Sequence, residues 1–423
     1  MSISEDDTSV RRPPTADGPA PDVAPASSGP PPPSPDHAEA LRLHGPEAER
    51  DPVALFARLR ALGPVAPVLL EGDVPAWFVS GPRELRQVMG RPEWFSRDCR
   101  RWNHRDRIGA DHPLRPHVTW TPALTFAEGA EHRARVDAIG DALAAVDRID
   151  LRDLSHRVAG HLVDRFAGRG TADLVVDYAR HVPARVLARL YGIAEDSAPI
   201  ADLIAAAIPD PGAGPARRRL HGHLVELVRD RRRLPRADVP SRLASHRRAA
   251  STEEVALDLL LISTAWQTST ADWIADTLRL TLVDAAFAAD LGAGRITVSR
   301  ALDEVLWRDT PARNVLGRWA VQDCELGGRR IRRGDLLVVG LAAAGMDRPA
   351  GERPRLFFGH GEQGCPHPAP RMAATIAGTA VEVLLDRLPD MWSTPSPRGS
   401  DRRPSPWAGG PLHLPVTFGP RRT

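Results

Sequence analysis

The chain has 423 residues, enough for one large domain or for two or three ordinary ones. Its formal net charge of +2 gives no strong attraction to nucleic acid or to an anionic membrane. Three scattered cysteines without a C-x-x-C pair exclude a disulfide scaffold and argue against structural zinc. No segment has the roughly 20 apolar residues of a membrane span, and no secretory signal is recognisable. A reducing cytoplasm is therefore the expected location.

The amino-terminal segment differs in composition from the rest of the chain. Residues 1–37 are rich in proline, alanine, serine and aspartate, including an uninterrupted run from Pro30 to Pro33. Such a segment cannot bury enough apolar surface to offset the entropy lost on ordering, so we predict a disordered arm. No internal repeat or linker divides residues 38–423, which predicts a single domain there.

The first half of the folded part is predicted to be a strand pair followed by many helices. A helix is expected over residues 53–62, where Gly63-Pro64 ends it, and two short apolar runs then predict antiparallel strands. From Glu131 to about Asp284, nearly every window has the 3.6-residue apolar period of a helix. The predicted helices in this region cover residues 138–146, 151–166, 172–190 and 220–231.

One helix is expected to be much longer than the others. Ser251 followed by Glu254 forms a capping box, and about 33 helical residues after it would extend roughly 50 Å. Strand patterns return after this helix and include the apolar residues 335–344. Residues 372–388 form another amphipathic pattern, and the chain closes on L-P-V-T-F. The sequence therefore predicts a fold that is mainly α with minor β.

The segment of residues 356–372, L-F-F-G-H-G-E-Q-G-C-P-H-P-A-P-R-M, has the densest functional pattern. Three glycines let the backbone bend tightly and approach a flat ligand, and two phenylalanines can shield a sulfur from water. Cys365 lies just before a helix, where unpaired N–H groups favour an anion such as thiolate. The prolines after it are expected to delay that helix until about Arg371. An isolated cysteine is more often a small hydrophobic residue in the core. Because the glycines around Cys365 suit the close approach of a flat ligand, we favour a ligand-binding role.

The F-G-H-G-E-Q-G-C motif resembles the haem-binding loop of the cytochrome P450 superfamily, particularly its soluble actinobacterial members. The resemblance extends from about residue 38 to the carboxyl end and includes residues 327–340 and the L-P-V-T-F close. It implies a triangular cytochrome P450-like domain that holds haem b between a long distal helix and the segment of residues 356–372. We refer to this segment as the cysteine loop. By this resemblance Cys365 is the axial ligand of the haem iron, and its thiolate favours O–O cleavage.

The long helix departs from the family at its oxygen-binding motif. The family usually has Ala-Gly-x-acid-Thr-Thr where this chain has A-W-Q-T-S-T, residues 265–270. The resemblance implies catalytic positions at Ala265, Trp266, Thr268 and Ser269, with Thr268 in place of the acid. Loss of the acid weakens the usual proton relay, although Ser269 still offers a hydroxyl. Alternatively, both hydroxyls only bond back to helix carbonyls.

A second departure affects the family's Glu-x-x-Arg pair, which is a buried structural ion pair. This chain has Glu304 but places Trp307 where the arginine belongs, and Arg308 follows one residue later. Because Arg308 is displaced by about 100° around the helix, we expect Glu304 to need another partner. The change is predicted to concern stability more than function.

The resemblance also assigns side chains to the haem itself. It implies that His132 and Arg318 bind the propionates, and that Val136 stands where the family has an arginine. Arg133 and Arg135 are close in sequence to that missing cation. The remaining haem-contacting residues implied in the cysteine loop are Phe358, Gly359 and Gln363.

Residues 100–126 correspond to the family's variable loop over the substrate. This segment contains Trp102, His104, His112, His117 and Trp120 among prolines. These rings could stack on a cyclic substrate, and packing within the protein is an equal alternative.

The sequence therefore favours an oxidoreductase that tailors a secondary metabolite by hydroxylation or by oxidative coupling of aryl or indole rings, with a peptide or cyclodipeptide among the possible substrates. The resemblance implies a ferredoxin and a ferredoxin reductase as electron donors and a small molecule or short peptide as substrate. Two alternatives remain: a non-catalytic partner protein, whose known examples lack the cysteine, and a haem sensor.

Overall fold

The structure is a computed structural model that describes residues 37, 40–194, 198–207, 214–248, 250–346, 356–394, 402–403 and 405–420. The predicted disordered arm lies outside these residues except for His37. His37 is buried, donates from Nε2 to the Ala76 carbonyl at 3.0 Å and packs edge-on against Trp77. The folded part therefore includes His37.

The strands form one main sheet and two small ones. In the six-stranded sheet the order is β1-β2-β3-β9-β6-β4, with parallel pairing of β1 with β2 and of β3 with β9. β5 joins β10 and β11 in a second sheet, and β7 pairs with β8. The strands are β1 Leu41–Arg42, β2 Val65–Leu70, β3 Val74–Val79, β4 Phe95–Ser96, β5 Thr171–Asp173, β6 Val315–Ala320, β7 Cys324–Leu326, β8 Arg329–Ile331, β9 Leu336–Val339, β10 Trp392–Ser393 and β11 Pro415–Thr417.

Helices make up most of the described chain, and their buried faces form the largest hydrophobic cluster. The expectation of a fold that is mainly α with minor β is confirmed. The helices are α1 Pro46–Arg50, α2 Pro52–Ala61, α3 Pro82–Gly90, α4 Arg115–Val118, α5 Gly129–Ala144, α6 Arg148–Ala167, α7 His181–Leu190, α8 Ala198–Ala206, α9 Gly214–Arg233, α10 Val239–Ser245, α11 Thr252–Leu261, α12 Gln267–Val283, α13 Ala285–Gly292, α14 Val298–Arg308, α15 Leu341–Gly345 and α16 Ala369–Arg387.

The predicted strand pair and the predicted capping box are both present. β2 and β3 pair antiparallel, with Val68 opposite Ala76. The Ser251 hydroxyl accepts the Glu254 amide N–H, and the Glu254 carboxylate accepts the Ser251 amide N–H at 2.7 Å. α11, a π-helical segment from Ile262 to Trp266, and α12 then follow without a break. We refer to these three segments together as the long helix.

Several predicted boundaries are wrong. Residues 172–190 are not one helix, because β5 and a π-helical segment, Leu174–Ala179, precede α7. The apolar residues 335–344 are a strand only as far as Val339, after which α15 begins. α16 begins at Ala369, two residues before the predicted start, since a proline is tolerated in the first helical turn.

The expectation that Glu304 needs a partner other than Arg308 is also wrong. Arg308 Nη1 lies 3.2 Å from Glu304 Oε1, and Arg308 Nη2 lies 2.8 Å from Asp284. Residues four apart on a helix are neighbours on its surface. Arg308 is four residues after Glu304, so its guanidinium can reach the Glu304 carboxylate. The pair is half-exposed rather than buried.

Candidate active site

The cysteine loop is a tight backbone structure that presents Cys365 to a cavity. The Cys365 amide N–H donates to the Phe358 carbonyl at 2.7 Å, and the Gly364 amide N–H donates to the Gly361 carbonyl at 3.0 Å. Gly359 has a φ of +85°, and a Cβ there would lie 2.7 Å from the Gly364 Cα. Only glycine fits at position 359, because both the conformation and the close approach exclude a side chain.

One cavity brings together most of the residues that the sequence singled out. Its walls include parts of α5, the long helix, β6 and the cysteine loop. The sequence-predicted residues that line it are Ala265, Trp266, Ser269, His132, Arg318, Phe358, Gly359, Gln363 and Cys365.

The long helix reaches this cavity at its π-helical segment. Ile262, Ala265, Trp266 and Ser269 lie on the cavity side of the helix. Trp266 is 9% exposed, and its indole N–H is enclosed without a hydrogen-bond partner within the described residues. π-helical segments are rare and frequently mark functional sites, which agrees with the position of this one.

Thr268, the residue in the place of the family's acid, does not line the cavity. It is buried, and its hydroxyl donates to Gln267 Oε1 at 3.2 Å, while Gln267 Nε2 donates to the Arg180 carbonyl. The alternative in which Thr268 bonds back to a helix carbonyl is therefore wrong, although Thr264 and Thr270 do so. Ser269 is the hydroxyl that the long helix presents to the cavity.

Two arginines face the cavity without an anionic partner among the described residues. Arg318, which is 2% exposed, was expected from the sequence, whereas Arg97, directly after β4, was missed. The Nε of each is enclosed and has no hydrogen-bond partner in the part of the chain that the structure describes. Burial lowers the pKa of Arg97 to about 10 and lowers the pKa of Arg318 well below its ordinary value, with Arg97 adding to the second effect.

Buried guanidinium groups of this kind require a negative charge for stability. Gln363 Oε1, at the same cavity, is also enclosed without a partner among the described residues. The N–H groups of the two guanidinium groups thus fit a flat apolar ligand that carries carboxylates at one edge, as haem does with its propionates. A basic residue directly after a short strand was the only sequence signal for Arg97, and it is a weak one.

The Cys365 side chain is exposed to the cavity, and desolvation by the surrounding protein raises its pKa to about 11, with the nearby Arg97 lowering it by a smaller amount. A sulfur in this position becomes anionic when a strongly bound cation stabilises it, as ferric iron does.

The variable loop contributes less to the cavity than expected. Among the side chains described in residues 100–126, Leu124 alone lies in the cavity wall. Trp102 and His104 are buried, with Trp102 in the core beside the main sheet. His117 contacts Trp407, and Arg100 covers the half-exposed Trp120. The packing alternative therefore holds for Trp102.

The chain is similar along most of its length to characterised bacterial enzymes. It is 26% identical over 396 residues to vitamin D(3) 25-hydroxylase of Pseudonocardia autotrophica, covering 88% of this chain and 95% of that protein. It is 28% identical over 376 residues to cytochrome P450-SU2 of Streptomyces griseolus, covering 84% and 91%. No family model matches the chain.

Solved structures of bacterial proteins are also similar to this chain along most of its length. CYP154A1 from Streptomyces coelicolor A3(2) superposes with a TM-score of 0.76 at 27% identity, covering 90% of this chain and all of that one. CYP154C4 from Streptomyces sp. ATCC 11861 gives a TM-score of 0.79 at 25% identity, covering 90% and 98%.

The fold and the cavity define a haem-binding oxidoreductase of mixed, mainly helical architecture. The chain is similar in sequence and in fold to bacterial cytochrome P450s. Within the described residues, no helix is both long and apolar enough to cross a membrane. No cluster of three histidine, cysteine or acidic side chains in those residues could hold a metal ion by itself.

Proposed function

We propose that this protein is a haem-thiolate monooxygenase that tailors a small secondary metabolite, with Cys365 as the axial ligand of haem b. The observation that carries the proposal is that Cys365, the buried cationic groups and Ser269 line one cavity. The haem domain predicted at residues 38–423 would also include His37, and the arm before His37 would not be needed for it.

Each wall of the cavity has a separate role in this proposal. Phe358 and Gly359 shape the loop around the sulfur, while His132 and Arg318 hold the propionates and Gln363 offers a further polar contact. Haem bound to a cysteine thiolate supplies the activation of dioxygen. The small side chain of Ala265 would leave space in the cavity for the haem and its ligands, and Ser269 Oγ would hold and transfer a proton in that cavity.

The substrate is proposed from the chemistry of the relatives and from the cavity. The relatives include a mycinamicin IV hydroxylase/epoxidase from Micromonospora griseorubida, and the solved structures include a tirandamycin C-bound P450 monooxygenase. Hydroxylation of a compact apolar metabolite agrees with a cavity lined largely by leucine, isoleucine, valine and phenylalanine. A ferredoxin and its reductase would supply the electrons.

A second reaction is favoured by one specific observation. Thr268 replaces the proton-delivering acid and is turned away from the cavity toward Gln267. A reaction that abstracts hydrogen and joins aryl or indole rings, on a peptide or cyclodipeptide, needs less proton delivery than hydroxylation. In that reaction the relevant property of Thr268 would be that it is not an acid, and its hydroxyl would not donate a proton.

Mass spectrometry distinguishes the two reactions. Purified holoprotein is screened for metabolites that shift its Soret band, and each binder is incubated with ferredoxin, ferredoxin reductase and NAD(P)H. We expect a product that has gained one oxygen atom, whereas loss of two hydrogen atoms identifies coupling. Binding without any electron-dependent product, across macrolides, naphthoates and cyclodipeptides, would contradict an enzymatic function and favour a sensor.

A further inference from the structure

Position 136 raises a question about how the cavity neutralises the charge of its ligand. His132 and Val136 are one helical turn apart on α5, and both line the cavity. Valine carries no charge, so His132 is the one side chain that α5 offers to a carboxylate among the described residues of the cavity wall.

The arginines beside Val136 in the sequence do not replace the missing charge. Arg135 is buried, but it pairs with Asp258 and donates to the Pro122 carbonyl, and it does not line the cavity. Arg133 is exposed and lies 3.1 Å from the Glu362 carboxylate. Both side chains are already paired elsewhere.

Arg97 enters the same cavity from a different element. Its Nη2 donates to the Gln363 carbonyl at 3.3 Å, which ties the side chain to the cysteine loop two residues before Cys365. Its Nε is enclosed and unpartnered within the described residues, and no carboxylate there forms an ion pair with it. The guanidinium is therefore positioned by the protein but not neutralised by it.

Three cationic or potentially cationic groups consequently face each other. Arg97 lowers the pKa of Arg318 and contributes, after burial, to lowering the pKa of His132. Glu362 Oε1 lies 4.0 Å from His132 Nδ1, but Arg133 already pairs with the same carboxylate at 3.1 Å. An anionic ligand among these groups would relieve the repulsion between the Arg97 and Arg318 guanidinium groups, which both line the cavity.

We propose that Arg97 binds a haem propionate together with Arg318 and supplies the charge that α5 lacks at Val136. The inference rests on the proposed function, since it takes haem as the ligand. Arg97 acts on the carboxylates of the haem and has no role in the reaction at the iron.

The test is the rate of haem loss to an excess of apomyoglobin, measured on purified holoprotein. Arg97→Gln should accelerate the loss at least about tenfold, because a charge-assisted hydrogen bond to a carboxylate is removed. Wild-type apoprotein should bind haem more tightly than haem dimethyl ester, and the preference should shrink in Arg97→Gln. Arg133→Gln, which removes an exposed arginine that does not line the cavity, is the matched control and should behave as the wild type.

A second-site variant separates ligand binding from a structural role. Val136→Arg introduces a guanidinium into the same cavity from α5, so Arg97→Gln/Val136→Arg should regain most of the lost haem affinity. Arg97→Lys, which keeps the charge, covers the case in which Arg97→Gln does not fold, and it should retain the preference for haem over its diester.

Three results would overturn the inference: wild-type haem loss in Arg97→Gln, an unchanged diester preference, or failure of Val136→Arg to rescue. Each can occur while the carbon monoxide spectrum of the wild type still shows thiolate ligation, which leaves the proposed function intact. Absence of haem binding in the wild type would instead contradict the proposed function itself.

Discussion

Ser269→Ala is expected to uncouple electron consumption from product formation. Ser269 is the hydroxyl that the long helix presents to the cavity, one turn from Ala265. Proton transfer by a positioned side chain contributes about 10²-fold or more to a rate, so product formation should fall by about that factor. NAD(P)H oxidation should continue, with hydrogen peroxide released in place of product.

Thr268→Ala provides the matched control for Ser269→Ala. The two residues are adjacent, but the Thr268 hydroxyl bonds to Gln267 and does not line the cavity. Peroxide and product are quantified for both variants under identical electron supply. Full coupling in Ser269→Ala, or equal uncoupling in both variants, would remove Ser269 Oγ from the proton path.

Trp266→Gly is expected to enlarge the cavity and to destabilise the protein. Trp266 lines the cavity and also packs into the main hydrophobic cluster. Loss of a large buried side chain should lower the free energy of unfolding by about 3 kcal/mol or more, and glycine inside a helix adds about 1 kcal/mol. Trp266→Phe should cost much less, since it keeps a ring and removes an indole N–H that lacks a partner.

Two iron-binding probes report the change in cavity size directly. Affinities for imidazole and for 4-phenylimidazole are measured from the shift of the Soret band. The larger probe should gain at least about tenfold over the smaller one in Trp266→Gly, which corresponds to about 1.4 kcal/mol. An unchanged ratio would show that the indole does not limit the space above the haem.

Local sequence patterns predicted the parts of the fold that depend on near neighbours. The capping box at Ser251 and Glu254 involves residues three apart, and the β2–β3 pair involves strands joined by a short turn. The cysteine loop was predictable for the same reason, because Gly359 and Gly364 pack against each other within one short segment. The motif's resemblance to a known family then supplied what the pattern alone left open.

Contacts between distant parts of the chain were not predictable. β5 was expected to be helical, and it is a strand because Ala172 pairs with Val416 in the carboxyl-terminal strand. Arg97 was missed because its hydrogen bond to the Gln363 carbonyl joins residues that are 266 positions apart in the sequence. No local sequence pattern indicates that an arginine will be buried in a cavity wall. The error at Glu304 was of another kind, since the surface geometry of a helix already places Arg308 beside it.

The carbon monoxide difference spectrum of the reduced protein tests the central claim, thiolate ligation by Cys365, most directly. The wild type should show a Soret band at about 450 nm, and Cys365→Ala should abolish it. Cys99→Ala and Cys324→Ala are the controls, because burial raises the pKa of Cys99 to about 11 and that of Cys324 to about 12 and neither lines the cavity. Both controls should keep the band, whereas a band that persists in Cys365→Ala would contradict the assignment of the axial ligand.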